Sequence, residues 1–228
     1  MTEIVVTLSS RNLIELQQEL EDLHHARDDF DILEFRGDYF EDDEEIIDAL
    51  YGLRELNKRI LYTYRTESEG GYGSDDDYVS HINYISAHAP LDILDIQYNS
   101  YREAAFISHV KSRSIDVLFS HHDFLKTPNK KTIQSIIDGM YESFADYCKV
   151  AYMPTNNEDV ELLFELLKQN KEKYGNMIII IAMGERGKIT RVAKAPYNSA
   201  FTYGCLKTPQ APGQVEIKML REVYQYNE

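Results

Sequence analysis

Short runs of β-branched and aliphatic residues recur along this chain at intervals of roughly thirty residues, and this repetition constrains the fold more than any other feature. Between most of these runs, apolar residues repeat with helical spacing, as at Leu13, Leu16 and Leu20. Alternating strands and helices are typical of βα units on a parallel sheet. The predicted strands are Ile4–Leu8, Asp31–Arg36, Arg59–Arg65, Ile93–Gln97, Ile115–Ser120, Tyr147–Tyr152, Met177–Ala182 and Ser199–Tyr203.

The number of these runs indicates a closed barrel. Eight strands in 228 residues, with no linker or break in composition, fit a (β/α)8 TIM barrel of the α/β class best. We therefore predict a single catalytic domain over residues 1–228. A doubly wound open sheet is the alternative, although it usually has fewer strands in this length. The first predicted strand is not followed by a glycine-rich phosphate loop, which argues against the dinucleotide-binding version.

The overall charge of the chain restricts its partners. A net charge of −15 argues against nucleic acid and anionic membranes, because both require a basic face. No apolar run approaches the roughly 20 residues that span a bilayer, and no signal peptide is recognisable, so we expect a cytoplasmic protein. Cys148 and Cys205 both lie in predicted strands and indicate neither a disulfide framework nor a zinc site. The acidic runs 41–45 and 75–77 are interpreted as solvated helix N-termini.

One lysine lies inside a predicted buried strand. Lys149 belongs to the run Tyr147–Pro154, where an ammonium group is costly unless it has partners or a function. A desolvated lysine loses part of its preference for the charged form, and its free amine can attack a carbonyl to form a Schiff base. The alternative is a lysine that reaches solvent from the strand end or pairs with a buried acid.

Ionisable side chains gather where the predicted strands end, which is the face of a barrel that carries active sites. Because side chains alternate along a strand, Glu34 and Arg36 share one face of the second strand. Ser120 and His122 share a face of the fifth strand by the same rule, and the third strand ends at Arg65. Each could be a structural ion pair or a core histidine, but their common position indicates a functional site.

This set of residues predicts a particular chemistry. An imine on a lysine makes the adjacent carbon acidic, and a nearby histidine can remove that proton and then protonate a leaving hydroxyl. Arginines would hold a carboxylate and hydroxyls. We therefore predict a lyase or aldolase that acts on a small hydroxylated acid. A metal site at His121, His122 and Asp123 is disfavoured, because adjacent strand residues point to opposite faces. The segment 70–77 is interpreted as a mobile loop over the barrel mouth.

At these positions the chain resembles the type I 3-dehydroquinate dehydratases of the shikimate pathway, and the resemblance covers essentially the whole sequence. Each motif is weak alone, but together and in this order they are highly specific. The motifs are Glu34–Arg36, Thr63–Gly71, Ser120–Phe124 with Thr127 and Pro128, Lys149–Pro154, Met183 with Gly187, Thr190 and Arg191, Phe201–Gly204 and Gln210–Gln214.

The resemblance implies a role for each matching residue. Lys149 would form the imine with the substrate ketone, His122 would be the general acid and base, and Glu69 would position His122. The implied substrate-binding residues are Glu34, Arg36 and Arg65 for ring hydroxyls, Arg191 and Gln214 for the carboxylate, Met183 and Tyr203 for the ring, and Gln210 and Ala211 in a closing loop.

The implied reaction is a hydro-lyase reaction: syn elimination of water from 3-dehydroquinate to 3-dehydroshikimate, through an imine and an enamine, with no metal and no cofactor. The resemblance also implies a homodimer whose only other partner is the small-molecule substrate. Gln97 stands where the family usually has an acidic residue, which puts the hydrogen bonding near the lysine in question. Two alternatives stay open: a class I aldolase acting on sugar phosphates, and a barrel that binds a metabolite without catalysis.

Overall fold

In the computed structural model, which describes residues 2–225, a curled parallel sheet is surrounded by helices. The strands are β1 (Glu3–Thr7), β2 (Ile32–Arg36), β3 (Arg59–Thr63), β4 (Ile93–Gln97), β5 (Asp116–Asp123), β6 (Tyr147–Tyr152), β7 (Ile178–Ala182), β8 (Phe201–Cys205) and β9 (Val215–Glu216). The helices are α1 (Leu13–His25), α2 (Asp43–Leu53), α3 (Tyr78–His88), α4 (Ala104–Ser112), α5 (Lys130–Glu142), α6 (Asn157–Tyr174), α7 (Gly184–Gly187) and α8 (Ile217–Gln225).

The strands follow one another around a barrel. Their order is β7-β6-β5-β4-β3-β2-β1-β8-β9, and every pair is parallel. This arrangement confirms the predicted TIM-barrel-like α/β fold. The short strand β9 was not predicted. Because all strands run the same way, their carboxyl ends meet at one face of the barrel.

The junction between β7 and β8 closes the barrel without a strand ladder among the described residues. Ala200 N donates to Ile178 O at 2.9 Å. The Ser199 hydroxyl accepts from Ile180 N at 3.1 Å and donates to Ile180 O at 3.2 Å. A serine side chain thus supplies the donor and acceptor that a paired strand would offer, and it satisfies backbone groups that would otherwise be buried and unpaired.

Two apolar layers follow from the alternation of side chains along each strand. The outward residues pack against the helices in a large core that includes Ile4, Leu33 and Tyr62. The inward residues fill the barrel below the site. That inner layer contains Val5, Ile32, Leu61, Ile93, Leu118, Tyr147, Ala151, Ile179, Ile181, Met183, Phe201 and Tyr203.

Several strand boundaries differ from the prediction by a few residues, and two of these differences affect the site. β3 ends at Thr63 rather than Arg65, because Arg65 O accepts from Gly73 N and the chain turns into a loop. β5 continues to Asp123, since its ladder with β6 extends through His122 and Ala151. His122 is therefore held by a strand, whereas Arg65 is held by a loop.

The two acidic runs that were interpreted as helix N-termini both adjoin helices, α2 and α3. Asp42 caps α2 by accepting from Glu44 N, which confirms that the acidic run 41–45 lies at a helix N-terminus. The run 75–77 precedes α3, but the side chain of Asp77 forms no capping bond there. In the described part of the chain, no helix combines the length and apolar character needed to cross a membrane.

Candidate active site

The carboxyl ends of the strands surround a single cavity, and the structure brings every residue nominated from the sequence to its wall. Several further residues also line it, among them Thr7, Thr63 and Phe124. Their position at the cavity does not by itself establish the catalytic or binding role of each residue, so these roles stay predictions. The nominated residues are Lys149, His122, Glu69, Glu34, Arg36, Arg65, Met183, Arg191, Tyr203, Gln210, Ala211 and Gln214.

Lys149 lies on β6 and is 5% exposed, with its ammonium group inside the barrel mouth. Its Nζ is 3.8 Å from Asp95 Oδ2 and 4.0 Å from the centre of the Tyr203 ring. Within residues 2–225, Nζ has no hydrogen-bond acceptor. Burial lowers the pKa of Lys149, and this effect exceeds the opposing effect of the carboxylates of Glu34 and Asp95. The amine is therefore accessible in its uncharged, nucleophilic form.

His122 is held by Glu69. The distance from His122 Nδ1 to Glu69 Oε2 is 2.8 Å, and the same oxygen accepts from Arg65 Nη1 at 3.2 Å. When Glu69 is ionised its carboxylate oxygens can only accept, so Nδ1 of His122 is then the donor in this bond. This assigns the proton to Nδ1 and leaves the Nε2 lone pair of His122 free to act as a base.

Burial sets the charge states of this pair. It lowers the pKa of His122 well below its ordinary value, and the nearby cations Arg65 and Lys149 lower it further. Burial also raises the pKa of Glu69 to about 7, against the opposing effect of Arg65. His122 is therefore neutral at neutral pH, as a general base must be before it accepts a proton.

Asp95 was not identified from the sequence, yet it lies at the centre of the polar network. Its Oδ2 accepts from Arg65 Nη2 at 2.7 Å, and its Oδ1 accepts from Ser120 Oγ at 2.6 Å. Arg65 Nη1 also donates to Ser120 Oγ at 2.9 Å. The alternation rule applied to β2 and β5 could have found Asp95, because Ile93, Asp95 and Gln97 share one face of β4.

Two other carboxylates are anchored near the mouth. Glu34 accepts from Thr7 Oγ1 at 2.7 Å and from Thr63 Oγ1 at 2.9 Å, so both of its oxygens are positioned by neighbouring strands. Arg36 donates twice to Asp38, each time at 2.7 Å. These bonds fix the orientation of Glu34 and Arg36, two of the three side chains that were predicted to bind ring hydroxyls.

Arg191 is buried without a carboxylate partner among the described residues. It is 3% exposed, and its donors reach only backbone oxygens, those of Tyr203 at 3.1 Å and Pro212 at 3.2 Å. Burial lowers the pKa of Arg191 to about 10. A buried guanidinium with no counter-charge is suited to an anionic ligand, because the ligand supplies the missing negative charge.

Gln214 holds the loop that follows β8. Its Oε1 accepts from Gln210 N at 2.6 Å and from Ala211 N at 3.2 Å, and its Nε2 donates to Thr7 Oγ1 at 3.1 Å. Gly213 adopts φ +82°, and a Cβ there would lie 2.5 Å from Gly184 O. Only glycine allows this loop to approach α7 so closely.

Gln97 does not contact the lysine. Its Oε1 accepts from Thr66 N at 2.9 Å, and its Nε2 donates to Thr66 Oγ1 at 3.0 Å and to Ser100 Oγ at 3.1 Å. The glutamine at position 97 therefore changes the hydrogen bonding around Thr66 and not that of Lys149. His121 is also outside the cavity, with its Nδ1 3.1 Å from the Tyr152 hydroxyl.

The sequence matches the model of the type I 3-dehydroquinase family over residues 4–228. The chain belongs to the type I 3-dehydroquinase family. A 3-dehydroquinate dehydratase from Staphylococcus saprophyticus is 32% identical over 234 residues, which cover 97% of this chain and 98% of the relative.

Solved structures of this family have the same fold. The type I 3-dehydroquinate dehydratase from Clostridium difficile, with covalently modified comenic acid, is 32% identical with a TM-score of 0.89. The 3-dehydroquinate dehydratase from Geobacillus kaustophilus is 28% identical with a TM-score of 0.90. Each comparison covers 99% of this chain and 91% of the other.

These findings confirm the family and the enzyme class that the sequence predicted. The chain is a hydro-lyase of a family in which a Schiff-base mechanism is known, and which serves the shikimate pathway of aromatic amino acid biosynthesis. This assignment favours the dehydratase over the sugar-phosphate aldolase and the non-catalytic barrel.

Proposed function

We propose that this cavity converts 3-dehydroquinate to 3-dehydroshikimate through an imine on Lys149. The observation that carries the proposal is the environment of this lysine. It is buried, its pKa is lowered, and among residues 2–225 its Nζ has no hydrogen-bond acceptor. The amine lone pair is thus available to attack a ketone.

The substrate is oriented by polar groups around the mouth of the barrel. Arg191 and Gln214 bind the carboxylate, and the unpaired charge of Arg191 supports this assignment. Glu34, Arg36 and Arg65 bind the ring hydroxyls. Two residues pack on the ring faces, Met183 and Tyr203, while Gln210 and Ala211 belong to the loop that closes over the ligand.

The reaction then follows from the position of two groups. Lys149 Nζ adds to the ketone, and loss of one water gives the protonated imine. His122 Nε2 removes a proton from the adjacent carbon, and the electrons of that C–H bond move into the imine to form an enamine. The electrons return to expel the hydroxyl group, which takes the same proton from His122 and leaves as water. A second water hydrolyses the product imine and restores Lys149.

We also propose that the enzyme works in the cytoplasm as a homodimer. Cys148 and Cys205 are both buried and unbonded, which is compatible with a reducing compartment. The dimer rests on the family resemblance. Sedimentation equilibrium of the purified chain tests it, and a single species with the mass of one chain would contradict it.

The proposal is tested by incubating the protein with 3-dehydroquinate. The conjugated product should increase ultraviolet absorbance, and borohydride added during turnover should fix a substrate-derived mass on Lys149. Lys149→Ala should lose nearly all turnover and all of the adduct. Lys168→Ala, which replaces an exposed lysine of α6, is the matched control and should retain both. Absence of turnover in the unmodified protein, or an adduct on another lysine, would overturn the proposal.

A further inference from the structure

We propose that Asp95 is the charge partner of Lys149, and that it stabilises both the ammonium group and the protonated imine against the neutral amine. This inference rests on the proposed Schiff-base function. Asp95 was not among the site residues predicted from the sequence. The role proposed for it is electrostatic and does not involve binding the substrate.

The position of Asp95 supports this role. The residue is 1% exposed and lies on the inward face of β4, where its register partner on β3 is Thr63. The distance of 3.8 Å between Asp95 Oδ2 and Lys149 Nζ makes it the one carboxylate of residues 2–225 within ion-pair range of that nitrogen. This distance is too long for a hydrogen bond, so Asp95 acts on Nζ through its charge and leaves the lone pair free.

The carboxylate is held in place from its other side. Ser120 donates to Oδ1 and Arg65 donates to Oδ2, at 2.6 Å and 2.7 Å. Ser120 is the register partner of Lys149 on the neighbouring strand. These bonds prevent Asp95 from turning toward Nζ, because a rotation would leave a buried guanidinium without its closest acceptor.

Other charged groups face Lys149, and none duplicates the contact made by Asp95. The carboxylate of Glu34 raises the pKa of Lys149 more strongly than Asp95 does, but its oxygens are bound to Thr7 and Thr63 and it lies outside ion-pair range. The titratable and charged groups around Lys149 are Glu34 and Arg36 from β2, Arg65 and Glu69 from the loop after β3, Asp95 from β4, His122 from β5 and Tyr203 from β8.

The chemical step explains why such a partner is useful. An ammonium group and a ketone give a protonated imine and one water, with no net change in protons. The positive charge is therefore at Nζ before and after the step, and it is absent only while the amine attacks. Relative to the neutral amine, a fixed anion nearby stabilises both charged forms, and its removal would weaken the attraction that offsets the repulsion from Arg65 and Arg36.

Asp95→Asn tests the inference, because it keeps the shape of the side chain and removes its charge. At a pH above the acid limb of the rate profile, where the resting amine is uncharged, the adduct trapped by borohydride during turnover should decrease about tenfold, the effect of one pKa unit. The acid limb of the pH profile of kcat/KM should move to lower pH, because the free amine would then persist at lower pH. A loss of structure alone would not move that limb in this direction.

Ser120→Ala is the matched control. It keeps the carboxylate charge of Asp95 and removes one of the bonds that hold it, so the position of the acid limb should stay near that of the unmodified enzyme. If Asp95→Asn traps as much adduct as the unmodified enzyme, or if Ser120→Ala shifts the limb equally, the inference is wrong. If the unmodified enzyme traps no adduct, the proposed function itself fails.

Discussion

Several side chains in this site have pKa values that differ from those of the same groups in water. Burial is the first cause in each case, since it lowers the pKa of Lys149 and His122 and raises the pKa of Glu69. The protein thereby holds an uncharged base beside a lysine whose proton is lost more easily than in water. These perturbed groups make stability and activity depend on pH in ways that single substitutions can reveal.

Glu69→Gln should stabilise the fold at alkaline pH while slowing catalysis. The pKa of Glu69 is raised to about 7, so the folded state binds a proton more tightly than the unfolded chain. Its contribution to stability is full below the unfolded value and decreases as pH rises toward 7. At about pH 8 the variant should gain up to about 3 kcal/mol in the free energy of unfolding, and at about pH 4 it should gain nothing.

Urea unfolding at the two pH values measures this effect. The value of kcat should decrease roughly ten- to a hundredfold, because a neutral amide oxygen binds the Nδ1 proton of His122 less strongly than a carboxylate and does not stabilise the imidazolium. Glu67→Gln is the control, since Glu67 is exposed two residues earlier on the same turn. Equal stability of Glu69→Gln and the unmodified enzyme at alkaline pH would contradict the raised pKa.

Arg191→Gln should weaken substrate binding more than it slows chemistry. Arg191 is the buried cation whose donors reach only backbone oxygens, so a substrate carboxylate is its natural counter-charge. We expect KM to rise about a hundredfold, as for the loss of a desolvated charge pair, with a smaller change in kcat. Steady-state kinetics measure KM and kcat. An unchanged KM would mean that the substrate carboxylate does not bind at Arg191.

At the scale of elements, strands were easier to predict than helices. Each strand is a short apolar run bounded by polar residues, and this local signal located all the main strands within a few positions. The helices α4, α7 and α8 were not predicted, and α3 was indicated only by the acidic run 75–77 that precedes it. In α3, histidine, asparagine and serine interrupt the apolar spacing, and the helix is fixed by packing of Tyr78, Ile82 and Ile85 on the barrel.

The site was predictable where its residues lie at strand ends, since one alternation rule orients them all. Its network was not predictable, because the bonds that join Arg65, Asp95 and Ser120 come from three different elements. Sequence spacing within one element carries no information about such pairings. The same limit applies to Gln97, whose partners lie on the loop after β3.

Gln97→Leu should loosen the loop that carries Glu69. The substitution leaves the buried Thr66 N–H without its acceptor, which should cost about 1–3 kcal/mol in the free energy of unfolding. Because Glu69 follows Thr66 on the same turn, kcat should also decrease. Ser100→Ala removes only the outermost of these bonds and should stay within about 0.5 kcal/mol of the unmodified enzyme. Thermal unfolding together with kcat measures both, and equal values for the two variants would contradict the role of Gln97.

At the scale of the whole molecule, closure of the barrel depends on the junction between β7 and β8. Ser199→Ala removes the hydroxyl that both accepts from Ile180 N and donates to Ile180 O. Two buried backbone groups lose their partner, so we expect a loss of about 1–3 kcal/mol in the free energy of unfolding. Ser112→Ala, at an exposed helix end, is the control. If Ser199→Ala unfolds at the same urea concentration as the unmodified enzyme, the junction between β7 and β8 closes without this side chain.

The distribution of charge also decides which solutes can use the site. The chain has a net charge of −15, while its buried cations Arg65, Lys149 and Arg191 lie inside the barrel mouth. A long polyanion keeps most of its charges in the repulsive field outside the mouth. A compact carboxylate leaves most of that repulsive field behind once it enters. The electrostatic field outside the protein therefore favours small anions over long ones before they contact the site.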